Sequence, residues 1–316
     1  MDEFSQNKVN ILIEYERRRE NKRTMKKTKE PQKLEYNCKP LKLPYNISYS
    51  KYSLFKDCPN RFFFKYLSDV EAKDVTWSSA VIGIAMHAVV EQWALKKYNE
   101  NYIMTKEELL KAFDEEYSAE LSKAKKESTY KLTREFNEVE YLGKARDNLL
   151  SLIAFLPPYL QARCGDEVIM TPEREIVVPF EFDKRANIKG IIDMTCKVNG
   201  ELKGFFDLKT TKDSIKWYWV DWASNTQKSF YDYLLLKAEG KLPEFFGYVV
   251  TNYLERVIFV KEMESEMKEG YFDDMAKSIS AIMDFVENPA FVDNSAYKWH
   301  KHCPYSKICP MGGYLK

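Results

Sequence analysis

The spacing of apolar residues changes along this chain, and the changes divide it into segments. In "SKYSLFKDCPNRFFFKYL" Ser50 offers an N-cap oxygen to a short helix, which is followed by Cys58-Pro59 and an aromatic-rich segment. The next run, "VIGIAMHAVVEQWALKKY", is apolar on most of its helical circumference and predicts a mostly buried helix. Thr105-Lys-Glu-Glu108 is a capping box that opens a long helical region reaching about Leu160. The spacing predicts a break near Glu127 to Thr129 and a stop at Pro157-Pro158. Strand patterns rich in Val, Ile, Phe and Tyr then follow at 174–182, 188–197, 201–209 and 245–261, with a helix at about 223–238 before the last. Residues 268–287 return to helical spacing, and "YKWHKHCPYSKICPMGGYLK" closes the chain as a loop.

Two of the strands form a hairpin around Asn199-Gly200. A two-residue loop would set Ile192 opposite Asp207. A three-residue loop, Val198-Asn199-Gly200, pairs Ile192 with Phe206 and Cys196 with Leu202 and keeps like faces together, so it is the expected register. Met194 and Leu208 then share the apolar face, and Asp193, Asp207 and Lys209 point to the other. Two carboxylates and an ammonium at one place suit a hard cation such as Mg²⁺, with the lysine holding or activating a water. An ordinary surface ion pair is the alternative.

Composition narrows the partners only a little. The 316 residues are 45% hydrophobic and 31% charged, enough for one large domain or two ordinary ones. With 49 Lys+Arg against 48 Asp+Glu, any polyanion-binding surface must be a local patch. Residues 1–40 carry 11 Lys/Arg against 7 Asp/Glu and read as a solvated extension, with a basic arm for DNA as the alternative. No apolar run approaches the roughly 20 residues of a membrane helix, and the acidic start is unlike a signal peptide, so a cytoplasmic protein is expected. Six cysteines are too few for a disulfide scaffold. Cys38, Cys164 and Cys196 stand apart, whereas Cys58, Cys303 and Cys309 lie in contexts that suggest metal ligation.

Taken in order, these segments resemble the PD-(D/E)XK nuclease superfamily, and within it the RecB-like branch that includes CRISPR-associated RecB-like exonucleases. The sheet motif appears as Gly190-Ile-Ile-Asp193, 13 residues, then Asp207-Leu208-Lys209. Gly83-Ile-Ala-Met-His87 matches the preceding glycine–helix–histidine motif, four residues before Glu91, and Gln227-Lys-Ser-Phe-Tyr231 matches the Q-x-x-x-Y motif, whose spacing puts both side chains on one helical face. The resemblance implies an α/β fold with a restriction-endonuclease-like core: a central mixed β-sheet flanked by helices, with a helical insert and a C-terminal metal-binding loop. It implies that Asp193, Asp207, the Leu208 carbonyl and His87 ligate Mg²⁺ or Mn²⁺, and that Lys209 positions the attacking water. Gln227 and Tyr231 would contact substrate or support the site.

Many members of this branch hold an iron–sulfur cluster through one early cysteine and three late ones spaced C-x2-C-x5-C. Here Cys58 sits in the matching early context and Cys303-x5-Cys309 at the end, but His300 stands where the remaining cysteine belongs. The resemblance favours a 4Fe–4S cluster on Cys58, His300, Cys303 and Cys309. A Cys3His set is also an ordinary zinc site, and Cys38 or His302 could supply the fourth ligand instead.

The expected organisation is a polar extension (1–45), N-terminal helices with Cys58 and His87 (46–105), a helical insert (106–165), the core sheet with Asp-x-Lys and Gln-x-x-x-Tyr (166–265), and a C-terminal helix with the cysteine-containing tail (266–316). Trp217, Tyr218, Trp219 and Trp222 could stack on unpaired bases or pack in the core. The chain has no phosphate loop of the G-x-x-x-x-G-K-[ST] type, so a helicase or recombination partner would have to expose its DNA. The expected activity is a metal-dependent DNA exonuclease working on single strands or duplex ends in recombination, repair, or viral or mobile-element DNA processing. The alternatives are a catalytically silent DNA-binding scaffold of the same fold, or a redox or zinc-binding regulator.

Overall fold

The structure, a computed structural model, describes residues 38–72, 74–133, 136–211, 226–252, 254–255, 257–265, 270–292, 303–306 and 308–309. The basic N-terminal segment, Trp217, Tyr218, Trp219, Trp222, His300 and His302 lie outside the described residues.

The elements run β1 (Tyr45–Ser48), α1 (Tyr49–Asp57), α2 (Pro59–Phe62), β2 (Val75–Trp77), α3 (Ser78–Ala94), α4 (Lys106–Glu127), β3 (Thr129–Lys131), α5 (Glu138–Cys164), β4 (Val168–Pro179), β5 (Ala186–Val198), β6 (Glu201–Thr211), α6 (Thr226–Glu239), β7 (Phe245–Asn252), β8 (Val257–Glu264) and α7 (Tyr271–Glu287). α2 and α3 each widen into a π turn, at Phe63–Leu67 and Leu95–Asn99. β2 and β3 form a separate two-stranded ribbon. No described helix is long and apolar enough to cross a membrane.

Six strands form one mixed sheet, β1-β5-β6-β7-β8 with β4 on β5. Both faces of the sheet are buried. One core gathers α1, α2, α6 and α7 over Ile188, Ile192, Phe205, Phe246 and Tyr248. The other gathers α3, α4 and α5 over Met194, Cys196, Phe206, Leu208 and Val249. Burial on both faces explains why β6 and β7 read as near-continuous apolar runs.

Four expectations require correction. The N-cap of α1 is Ser48, whose hydroxyl accepts from the Lys51 N–H, and Ser50 lies inside the helix. The hairpin turn contains two residues, Asn199 and Gly200, both at positive φ, because Asn-Gly suits the tight I′ geometry. Val198 pairs with Glu201, and a bulge at Lys203 restores the match of faces, so that Cys196 lies opposite Gly204 and Met194 opposite Phe206. The long helix α5 does not stop at Pro157-Pro158 but continues to Cys164. The prolines forfeit backbone hydrogen bonds, yet Leu149, Leu152, Leu156 and Leu160 form one fully buried stripe against the sheet, and that packing carries the helix through. The apolar stretch 245–261 is two antiparallel strands, β7 and β8, with the chain turning between Asn252 and Val257.

The pairing of β5 creates the feature that matters for function. β4 occupies one edge of β5 from Asn187 to Val198. On the opposite edge β1 pairs only with Ala186–Lys189 and β6 only with Met194–Val198. The sheet therefore forks at Gly190 to Asp193, between the ends of β1 and β6. The sequence contained no clear signal for β1, which is four residues long and pairs with a strand about 140 positions away.

Candidate active site at the fork of the sheet

The fork releases Asp193 from the ladder with β6, and its side chain takes over a backbone role: the Leu208 N–H donates to Asp193 Oδ2 at 2.8 Å. Ile192 packs into the core under α6 and Met194 into the core under α3, so the strand changes face across Asp193. From α3, His87 Nδ1 approaches the same Oδ2 to 3.5 Å. α3 can lie this close because Gly83 has no side chain, since a Cβ there would sit 2.5 Å from Thr210 Oγ1 on β6. One helical turn after Gly83, His87 faces the fork. His87, Val90, Glu91, Asp193, Met194 and Leu208 line a small pocket there.

Asp207 lies one residue before Leu208 and faces the α6 side. It is 6% exposed. The Gln227 amide Nε2 donates to Asp207 Oδ1 at 2.8 Å, and the Gln227 Oε1 is 3.1 Å from the Tyr248 hydroxyl. Oδ2 forms an ion pair with the Lys209 ammonium but accepts no well-formed hydrogen bond. Burial pushes the Asp207 carboxyl up to about 6, and the Asp193 charge adds to the rise, while Lys209 and His87 pull it down. Tyr231 follows Gln227 by one turn on α6. Burial raises its phenol, with the Asp207 charge adding to that effect and the Gln227 amide opposing it. α6 is seated closely here because Gly190 leaves room for Leu234 and Tyr231, which a Cβ would meet at 2.5 and 3.1 Å.

The structure thus brings His87, Asp193, Asp207, Lys209, Gln227 and Tyr231 to one region, with the Leu208 backbone between the two aspartates. Among the described residues no three His, Cys, Asp or Glu side chains form a ready cage for a metal ion. The donor set nevertheless fits a hard cation of the Mg²⁺ class, which takes one or two protein carboxylates and completes its shell with other oxygens. The buried Asp207 Oδ2 meets the Lys209 ammonium and, as a carboxylate oxygen, has further acceptor capacity for a cation.

The sequence placed Glu91 four residues after His87 on the same helical face without giving it a role, and it did not single out Tyr248. Tyr248 lies in an apolar strand, and only the β6–β7 register brings it beside Asp207.

The cysteines behave differently. Cys58 is buried at the junction of α1 and α2, and its charge would act on Cys303, whose thiol is raised chiefly by burial. Cys303 and Cys309 pack on the core beneath α2, joined through a turn in which Cys309 N–H donates to the Tyr305 carbonyl at 2.8 Å. The Cys58, Cys303 and Cys309 thiols do not by themselves form a group of three metal donors among the described residues, and His300 lies outside them. Protein contacts dock the described C-terminal residues. Asn60 donates to the Val292 carbonyl at 2.8 Å and accepts from the Val292 N–H at 2.9 Å, while Tyr305 stacks on Phe64 at 5.2 Å between ring centroids.

Comparison with known proteins adds one decisive match. The family profile of the PD-(D/E)XK nuclease superfamily matches residues 46–310. Among solved structures, one titled "Crystal structure of SSO0001" aligns over 83% of this chain and 95% of that chain at 15% identity, with a TM-score of 0.32. At that level it carries no argument. The comparison with curated proteins gives no match.

Proposed function

The chain belongs to the PD-(D/E)XK nuclease superfamily, and from that premise we propose that it is a metal-dependent DNA exonuclease of the RecB-like branch, acting on single strands or duplex ends. The observation that supports this most is the grouping of Asp193, Asp207 and Lys209 at the sheet fork, with Gln227 holding the first oxygen of Asp207. Asp193, Asp207, the Leu208 carbonyl and His87 are the groups that would hold Mg²⁺ or Mn²⁺. When bound, such a cation stabilises the charge that develops on a phosphodiester and makes a nucleophilic water easier to deprotonate. Lys209 holds the attacking water and neutralises part of the phosphate charge, Gln227 keeps Asp207 oriented, and Tyr231 packs behind Gln227. In the hydrolysis, the water oxygen bonds to phosphorus, the bond from phosphorus to the leaving sugar oxygen breaks, and that oxygen takes up a proton.

The tail is proposed as a second metal site, with Cys58, His300, Cys303 and Cys309 holding a 4Fe–4S cluster, or zinc as the alternative. The action of the Cys58 charge on the Cys303 thiol supports it, and no catalytic step depends on it. Anaerobically purified protein should be brown with iron and sulfide, whereas colourless protein with one zinc would select the alternative. Action in the cytoplasm, on DNA that a helicase or recombination partner exposes, completes the reading.

Cleavage of end-labelled single- and double-stranded DNA with Mg²⁺ or Mn²⁺ tests the central claim, comparing the wild type with Asp207→Ala. Cation-dependent products that disappear in the variant support a nuclease at this site, and their ladder separates exonuclease from endonuclease action. Binding without cleavage by both proteins would overturn it in favour of a scaffold.

A further inference from the structure

Asp207 has a cross-strand neighbour that the catalytic motif does not include. In the parallel β6–β7 ladder the residue paired with Asp207 is Tyr248, so both side chains leave the sheet on the same face. Tyr248 is 2% exposed, and its hydroxyl needs a partner inside the core. It finds Gln227 Oε1 at 3.1 Å. The opposite end of the same amide donates to Asp207 Oδ1 at 2.8 Å.

These contacts set the direction of both hydrogen bonds. Asp207 as a carboxylate only accepts, so it selects the amide orientation that presents Nε2. Oε1 must then face Tyr248, and the phenol must donate. The tyrosine also meets the other group that flanks Asp207: Lys209 Nζ lies 5.4 Å from the centre of its ring, within reach of a cation–π attraction.

We propose that Tyr248 is a positioning residue for this site, whose hydroxyl fixes the plane of the Gln227 amide and whose ring supports the Lys209 ammonium, so that Asp207 presents Oδ1 to Gln227 and keeps Oδ2 towards Lys209 and an incoming cation. This rests on the nuclease reading. The hydroxyl and ring contributions are separable, because Tyr248→Phe removes only the first and Tyr248→Leu removes both. A hydrogen bond that positions a catalytic group without touching substrate acts on turnover more than on substrate binding.

The test is a Mg²⁺-titrated cleavage assay on end-labelled single-stranded DNA with wild type, Tyr248→Phe, Gln227→Ala and the double variant. Tyr248→Phe should lower kcat about tenfold and raise the Mg²⁺ midpoint, leaving KM for DNA within about twofold. In the Gln227→Ala background it should cost nothing further, because the hydroxyl acts through that amide. Wild-type turnover in Tyr248→Phe, or losses that multiply independently in the double variant, would overturn the proposal. A readout without turnover separates this from failure of the nuclease reading: the Gln227 side-chain amide signals in ¹⁵N NMR of the cation-free protein, assigned by their loss in Gln227→Ala. They should move in Tyr248→Phe, and unmoved signals would overturn the assignment even if the wild type cuts no DNA.

Discussion

The Asp193 carboxylate accepts the Leu208 backbone N–H at 2.8 Å, a hydrogen bond that a regular β5–β6 ladder would give to a carbonyl. Asp193 is therefore both a structural and a candidate catalytic residue. Asp193→Ala should leave a partly buried N–H unsatisfied and cost about 1–3 kcal/mol in unfolding free energy. Asp193→Asn, which can still accept through its amide oxygen, should recover most of that stability and none of the activity. Denaturant melts paired with cleavage assays on both variants check this, and equal stability of the two would refute the structural half.

Asp207 should make the cation-free protein more stable as pH falls. Its carboxyl is held at about 6 in the fold, against 3.8 as the unperturbed value, so between those pH values the folded state binds more protons than the unfolded one. Stability contributed by this group should rise as pH drops through 6 towards 4, by up to about 3 kcal/mol, and the burial penalty should be fully present above 6. Asp207→Asn should flatten that rise, raise Tm at neutral pH and abolish cleavage. Thermal melts in EDTA across this range provide the measurement, and an unchanged profile in the variant would show that Asp207 burial is not the source of the pH dependence.

Gly83→Ala should disturb the placement of α3 over β6. The new methyl would sit 2.5 Å from Thr210 Oγ1, which demands a shift in one element and carries a cost of about 1–3 kcal/mol. Because His87 lies one turn on, the activity loss should exceed what the lower stability explains. Thr210→Ala removes the clashing oxygen and leaves its own Cβ at 3.7 Å, so the double variant should regain both stability and turnover. Failure of Thr210→Ala to rescue would mean that the close approach does not set the spacing.

Asn60→Ala should loosen the C-terminal segment whether or not the tail binds a metal. It deletes both hydrogen bonds to the Val292 backbone, with an expected loss of about 2 kcal/mol. Limited proteolysis should then cut the C-terminal segment faster in the variant, also in chelator-treated protein. Protection equal to wild type in chelator-treated protein would show that the Asn60 clamp is not what holds the segment.

The sequence itself determined the short-range features of this protein. Helical spacing put His87 on a face with Glu91 and Gln227 on a face with Tyr231, and strand alternation sent Asp207 and Lys209 the same way. Asn199-Gly200 marked the hairpin, because only a few residue pairs suit two successive positive φ values. Only the tertiary structure decided which of these faces meet. The bulge at Lys203, the fork between β1 and β6, the pairing of Asp207 with Tyr248, the Asn60 clamp and the passage of α5 through two prolines all depend on partners distant in the chain. Their stability comes from burial and cross-strand register, and a local pattern of apolar and polar residues records that a face is buried without recording against what.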